Sequence, residues 1–197
     1  MTAPNIATYW KEVLKGLELN ERDIPLAAIY SLERTSDQEW PNFKASFEGG
    51  LGIDKHHSLA IKSIELANPT DQLVRLLNKS VTTEVPMVLH ESDGGIPTGL
   101  LNGVSWRGFG EPSTVLVVLA LFAAKEITGF LVLGLNPRRA YDDDFDGFIQ
   151  LLSRQLATSL TSAVLMEQAK QKQARLSKDV AESESRFKAL TELNSAG

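Results

Sequence analysis

LGLNPRRAYDDDF, residues 133–145, carries an apolar run into a cluster of three aspartates just after two arginines, and its reading decides the fold. Grouped carboxylates can hold a metal ion, exchange protons with a substrate, or start a helix. Asp142, Asp143 and Asp144 stand directly before Phe145, Phe148 and Ile149, and from there to Ala196 the chain has no Pro and one Gly, Gly147. One aspartate is therefore a natural N-cap. The others fall in the first turn, where negative charge complements the helix dipole. Arg138 and Arg139 are placed to pair with these carboxylates or to stay solvated, rather than to clamp a phosphate. The stretch reads as a strand–turn–helix junction.

Downstream, the spacing predicts a helix from Asp142 to about Leu190. Phe145, Phe148, Ile149, Leu152, Leu156, Leu160 and Val164 form a stripe suited to packing on a sheet. Beyond Glu167 the composition turns to Gln, Lys, Glu, Ala and Ser, and a thin seam persists through Ala169, Gln173, Leu176, Val180, Ser183, Phe187 and Leu190. Its steps alternate four and three, a heptad rhythm with imperfect core positions. Glu182–Arg186 and Glu184–Lys188 are spaced as i,i+4 pairs. So narrow a seam wants a partner helix, and an identical one from a second chain is the simplest candidate, with Leu165, Ala169, Leu176, Val180 and Phe187 as its contact residues.

Upstream, VLVVLALFAA (115–124) is the longest apolar run. Ten residues cannot cross a bilayer as a helix, so it reads as a buried strand. Strands over 114–122 and 127–135, turning around Ala124 to Glu126, make an antiparallel hairpin. Residues 92–113, SDGGIPTGLLNGVSWRGFGEPS, form a long loop rich in Gly and Pro, the kind that carries function. Before it, VPMVLHE (85–91) reads as a short strand. Pro69 suits the first turn of a helix continued by TDQLVRLLNKS, with Leu73, Leu76 and Leu77 on one face. DKHHSLAIKSIELANP is irregular, with at most a short helix. FKASFEGGLGI (43–53), LAAIYSLE (26–33) and an amphipathic helix over 5–19 complete the order, with TSDQEWPN (35–42) as a connection. The expected fold class is α+β: an antiparallel sheet flanked by helices, an α/β/α sandwich with a long C-terminal helix.

The bulk numbers bound what such a domain does. A length of 197 residues suits one domain with an appendage, and a net charge of -5 gives no electrostatic case for nucleic acid or an anionic membrane. Cysteine is absent, which removes disulfides, thiolate metal sites and thiol nucleophiles. MTAPNIATYWKEVLKG turns polar too soon for a secretory signal, so the expected location is cytoplasmic.

GFLVLGLNPRRAYDDDFDGFIQLLSRQLATSLTSAV resembles the last strand and final helix of a GAF domain, and the elements up to about residue 165 follow that fold in order. SFEGGLGIDKHH, GVSWRGFGEP and LVLGLNPRRAYDDDF resemble a subgroup of GAF domains in fungal and bacterial hybrid sensor histidine kinases. ESRFKALTELNSAG resembles the opening of a PAS domain. The resemblance implies a GAF domain over 1–165, a signalling helix or coiled-coil linker over 166–185, and the start of a truncated PAS domain over 186–197. It implies a homodimer through the terminal helices, with downstream PAS and kinase domains as partners within the same chain. Neither a phosphoacceptor histidine in a dimerisation helix nor an ATP-lid motif is found in the sequence, so the expected enzyme activity of this stretch is none.

Candidate ligand residues gather at the long loop, since GAF ligands bind between the sheet and the segments over it. Trp106 and Phe109 could stack on a planar molecule, Arg107 could meet an anion, and His90 ends the preceding strand. Trp106 and Phe109 could equally close the core beneath the loop. Covalent bilin attachment and methionine sulfoxide reduction both use Cys and are excluded; the Asn-Lys…Phe…Asp-Glu pattern of cyclic-nucleotide GAF domains is absent. No cofactor and no metal site is expected, with haem or another small-molecule ligand left open: adjacent histidines such as His56 and His57 alternate direction in an extended segment, and no carboxylate or thiol spacing completes a zinc site. Two readings stand: a sensory and dimerisation module acting through its C-terminal helix, or a small-molecule receptor with a pocket beneath 92–113. A free-standing enzyme lacks convergent acid–base groups.

Overall fold

The computed structural model describes residues 6–33, 42–68, 70–83 and 85–195. Its elements are α1 (Ile6–Glu18), β1 (Leu26–Glu33), β2 (Lys44–Leu51), β3 (Ser63–Glu65), α2 (Gln72–Thr83), β4 (Met87–His90), β5 (Val115–Ala123), β6 (Glu126–Gly134) and α3 (Asp143–Ser195). The six strands form one sheet in the order β3-β2-β1-β6-β5-β4, with every paired neighbour antiparallel. The fold is α+β, an antiparallel sheet with helices on both faces, as expected.

The order follows from burial. β1, β6 and β5 carry continuous apolar runs and take the centre, where both faces need cover. On one face, Ala27, Ile29, Val117, Leu119, Leu131 and Leu133 meet Tyr9 and Trp10 of α1 and Phe145, Ile149 and Leu160 of α3. On the other, Ala28, Tyr30, Leu116, Val118, Phe130 and Val132 meet Leu73 and Leu77 of α2 and the segments around Leu59 and Leu100. Trp10 fits because position 129 is glycine: a Cβ there would lie 2.4 Å from the Tyr30 carbonyl oxygen and 3.1 Å from the indole.

Several expectations need correction. The segment after residue 54 contains a strand, β3, pairing with Lys44–Ser46 at the sheet edge; three residues with one buried side chain are too short to show a period. A single 3-10 turn, Ser58–Ala60, precedes it. α2 starts at Gln72, where Asp71 caps it by accepting from the Leu73 amide at 2.7 Å. Pro69 and connection residues 35–41 lie outside the described residues. Phe148, expected on the packed stripe, stacks on Phe145 at 6.0 Å but stays 39% exposed. The hairpin turn is two residues, Ala124 and Lys125, both at positive φ (51° and 71°), because a two-residue loop must twist with its strands. Among the described residues no helix is long and apolar enough to cross a membrane.

Candidate functional site

Loop 91–113 folds on itself through small turns. The amides of Leu100, Asn102 and Val104 donate to the carbonyls of Pro97, Gly99 and Leu101 at 3.1, 3.2 and 3.3 Å. Leu100 is buried, and Ile96, Leu101, Val104 and Trp106 pack against the second core. These side chains occupy much of the space between loop and sheet. A cleft of about 560 Å³ opens within the loop, lined chiefly by Glu91, Ile96, Leu101, Asn102, Val104 and Trp106, and by no residue of the sheet strands. Behind Gly103 sits His57, whose Cδ2 lies 3.7 Å from the position a Cβ would take there. The His57 Nδ1 accepts from the Leu59 amide at 3.0 Å.

Of the four candidate ligand residues, Trp106 alone lines this cleft. His90 is on β4, whose alternation sends Met87 and Leu89 to one core and Val88 to the other. His90 follows Val88's parity, and its ring meets Tyr141 edge-on at 6.0 Å, across the sheet from the loop. Arg107 turns away: its Nη2 donates to the Glu18 carbonyl at 3.3 Å and to the Glu21 carboxylate at 3.5 Å. Phe109 lies under two guanidiniums, Arg138 at 4.3 Å and Arg22 at 5.7 Å from its centroid.

Residues 105–111, Trp106 apart, thus form a tie rather than a ligand wall. The Ser105 amide donates to Gly52 at 2.8 Å. Gly108 (φ 65°) sits against the end of α1, where a Cβ would lie 2.5 Å from the Glu21 carbonyl oxygen. Arg138 makes a two-point ion pair with Glu111, which holds the Glu111 carboxyl below its ordinary range. Asn136, unremarked in the sequence, locks the same junction: its side chain donates to Asp23 at 3.1 Å and accepts from the Arg138 amide at 2.9 Å. One loop tail therefore touches both the end of α1 and the β6–α3 connection. An Asn-Pro pair signals a turn, but partners 113 residues away in sequence leave no local trace.

At the helix start, Asp142 accepts from the Phe145 amide at 2.9 Å and is the N-cap. Asp143 and Asp144 occupy the first turn, and Arg139 reaches Asp142 at 3.5 Å. Among the described residues no three His, Asp or Glu side chains are grouped to hold a metal ion. The Tyr9 hydroxyl fastens α1 to α3 by donating to the Leu156 carbonyl at 2.9 Å. α3 buries side chains as far as Ala163, and from Gln168 to Thr191 every side chain is exposed. Leu165 is 55% exposed, Leu176 56%, Val180 57% and Phe187 73%. Glu182 pairs with Arg186 at 4.0 Å and with Lys178 at 3.9 Å, whereas Glu184 and Lys188 form no pair.

No family model matches the chain, and no curated protein matches it. Solved structures do. The GAF domain of a two-component sensor histidine kinase from Bacillus halodurans is 14% identical, with 83% of this chain and 98% of that one covered at a TM-score of 0.53. A GAF domain/HD domain protein from Geobacter sulfurreducens is 12% identical over 81% and 94%, at 0.53. A domain of a two-component sensor histidine kinase protein from Sinorhizobium meliloti 1021 is 15% identical over 85% and 99%, at 0.53. Identities this low show shared fold alone: the chain has an α+β, GAF-like fold.

Proposed function

We propose that this GAF-like chain is a non-catalytic sensory and dimerisation module of a two-component sensor histidine kinase, and that α3 is its output. Residues 1–165 are the sensory domain, 166–185 a coiled-coil linker, and 186–197 the opening of a PAS domain that precedes the kinase. The protein works in the cytoplasm, with neither nucleic acid nor a membrane as partner. One observation carries this reading: α3 runs 53 residues, and the apolar seam of its second half stays exposed among the described residues. Exposed at heptad spacing, such a seam is stabilised by burial against a second copy. A signal that changes how two such helices pack passes down the pair to the next domain. The tie at 105–111 supports this route, since it joins the loop to both ends that anchor the terminal helices. Sedimentation equilibrium of the chain tests the proposal: a reversible dimer is expected, and a monomer at several hundred micromolar rejects it.

The second reading, a small-molecule receptor, is favoured by the cleft inside loop 91–113, whose size falls in the range of small-ligand sites. The two readings are compatible, because the loop that walls the cleft continues into the tie.

A further inference from the structure

The cleft's lining restricts the charge of what enters it. Among its lining residues Glu91 is the one ionisable side chain, and no Lys, Arg or His contributes. Glu91 is exposed at the cleft's edge, and its carboxylate meets no hydrogen-bond donor or cation among the described residues. Arg107, the cationic residue of the loop itself, is drawn off to Glu18 and Glu21. Of the backbone amides there, those of Gly94, Asn102 and Val104 donate to carbonyls within the loop. An anion would therefore meet the Glu91 carboxylate with no cationic side chain of the lining to offset it. A cation would meet that carboxylate and the Trp106 ring, an arrangement suited to an ammonium on an apolar body.

We propose that the cleft binds an amine or quaternary ammonium compound, with Glu91 as counter-charge and Trp106 as the stacking face. This rests on the receptor reading and adds the chemical class of its ligand. Three probes sharing one body test it by isothermal titration calorimetry on the full chain: phenethyltrimethylammonium, 2-phenylethanol and 3-phenylpropionate. The cation is expected to bind about tenfold tighter than the alcohol, from an exposed ion pair and a cation–π contact together, and the carboxylate weakest. Glu91→Gln is expected to bring the cation to the level of the alcohol with the melting temperature unchanged, and Trp106→Leu to weaken both. If 3-phenylpropionate binds tightest, the charge class is wrong while the receptor reading stands. If none of the three binds up to the millimolar range, both fall. Undiminished cation binding by Glu91→Gln overturns the counter-charge.

Discussion

Leu176 gives the sharpest perturbation of the proposed helix pair. It lies in the middle of the seam and is 56% exposed in the single chain, so slightly more than half of its surface is free to be buried by a partner. Leucine to alanine removes three carbons, worth about 2.4 kcal/mol when burial is complete. The fraction still available gives about 1.3 kcal/mol per copy, or about 2.7 kcal/mol over two copies, which is close to a hundredfold in Kd. The effect acts on the dimer alone, because the side chain touches no buried residue of its own domain. Leu176→Ala should therefore leave the melting of the isolated domain at low concentration unchanged while weakening association about a hundredfold. Sedimentation equilibrium across a concentration series reads the Kd, and Ser185→Ala, on the outward side of the same helix, is the control. A Kd for Leu176→Ala within threefold of the parent, or an equal loss in the control, would refute the seam as the pairing surface.

Phe109→Ala should loosen the tie between loop and helices: hydrogen exchange is expected to quicken at 18–24 and 135–141 together, with the centres of β1 and β6 unaffected, and quickening at one site alone would deny the shared joint. Lys125→Gly should stabilise the fold by about 1 kcal/mol in urea unfolding, since Lys125 holds φ 71° in the hairpin turn and glycine takes that conformation without cost. A third expectation concerns alkaline pH. The Tyr30 hydroxyl donates to the Leu59 carbonyl, and burial pushes its pKa far above the ordinary 10.0, so the folded state keeps a proton that the unfolded chain loses near pH 10. Stability should hold below that pH and fall above it by up to about 1.4 kcal/mol per pH unit for this residue. Tyr30→Phe should be less stable at pH 8 yet flatter between pH 10 and 11; an unchanged slope would assign the alkaline loss to Tyr9 or Tyr141.

The central architecture was legible because burial on both faces forces an uninterrupted apolar run. LAAIYSLE and VLVVLALFAA could be little else, and the aspartates before Phe145 marked a helix start by chemistry alone. β3 was not legible: at the sheet edge it needs one buried residue, Ile64, and supplies no pattern. The candidate site was legible as a region and not as a residue set. Glycines and prolines located the loop, and Trp106 does line the cleft. His90 was misplaced because strand alternation fixes which neighbours share its side, Val88 rather than Leu89, without saying which side the loop covers. Arg107 and Phe109 looked like ligand groups because their partners at Glu18, Glu21, Arg22 and Arg138 are remote in sequence. An arginine beside an aromatic has the same local appearance whether it awaits a ligand or already holds another part of the chain.

Transmission through the proposed dimer requires two copies of α3 side by side, parallel and in register, so that a change in one domain is felt by the next. The absence of cysteine from the sequence makes this directly measurable. A residue on the seam of a parallel pair faces its own counterpart closely enough for a disulfide, which needs Cα atoms about 4.4–6.8 Å apart. Oxidation of Ser183→Cys and of Ser185→Cys, each as a single variant at low micromolar concentration, compares a seam position with an outward one. Rapid covalent dimer is expected from Ser183→Cys and little from Ser185→Cys. Equal rates at the two positions, or no cross-link at either, would rule out a parallel, in-register pair.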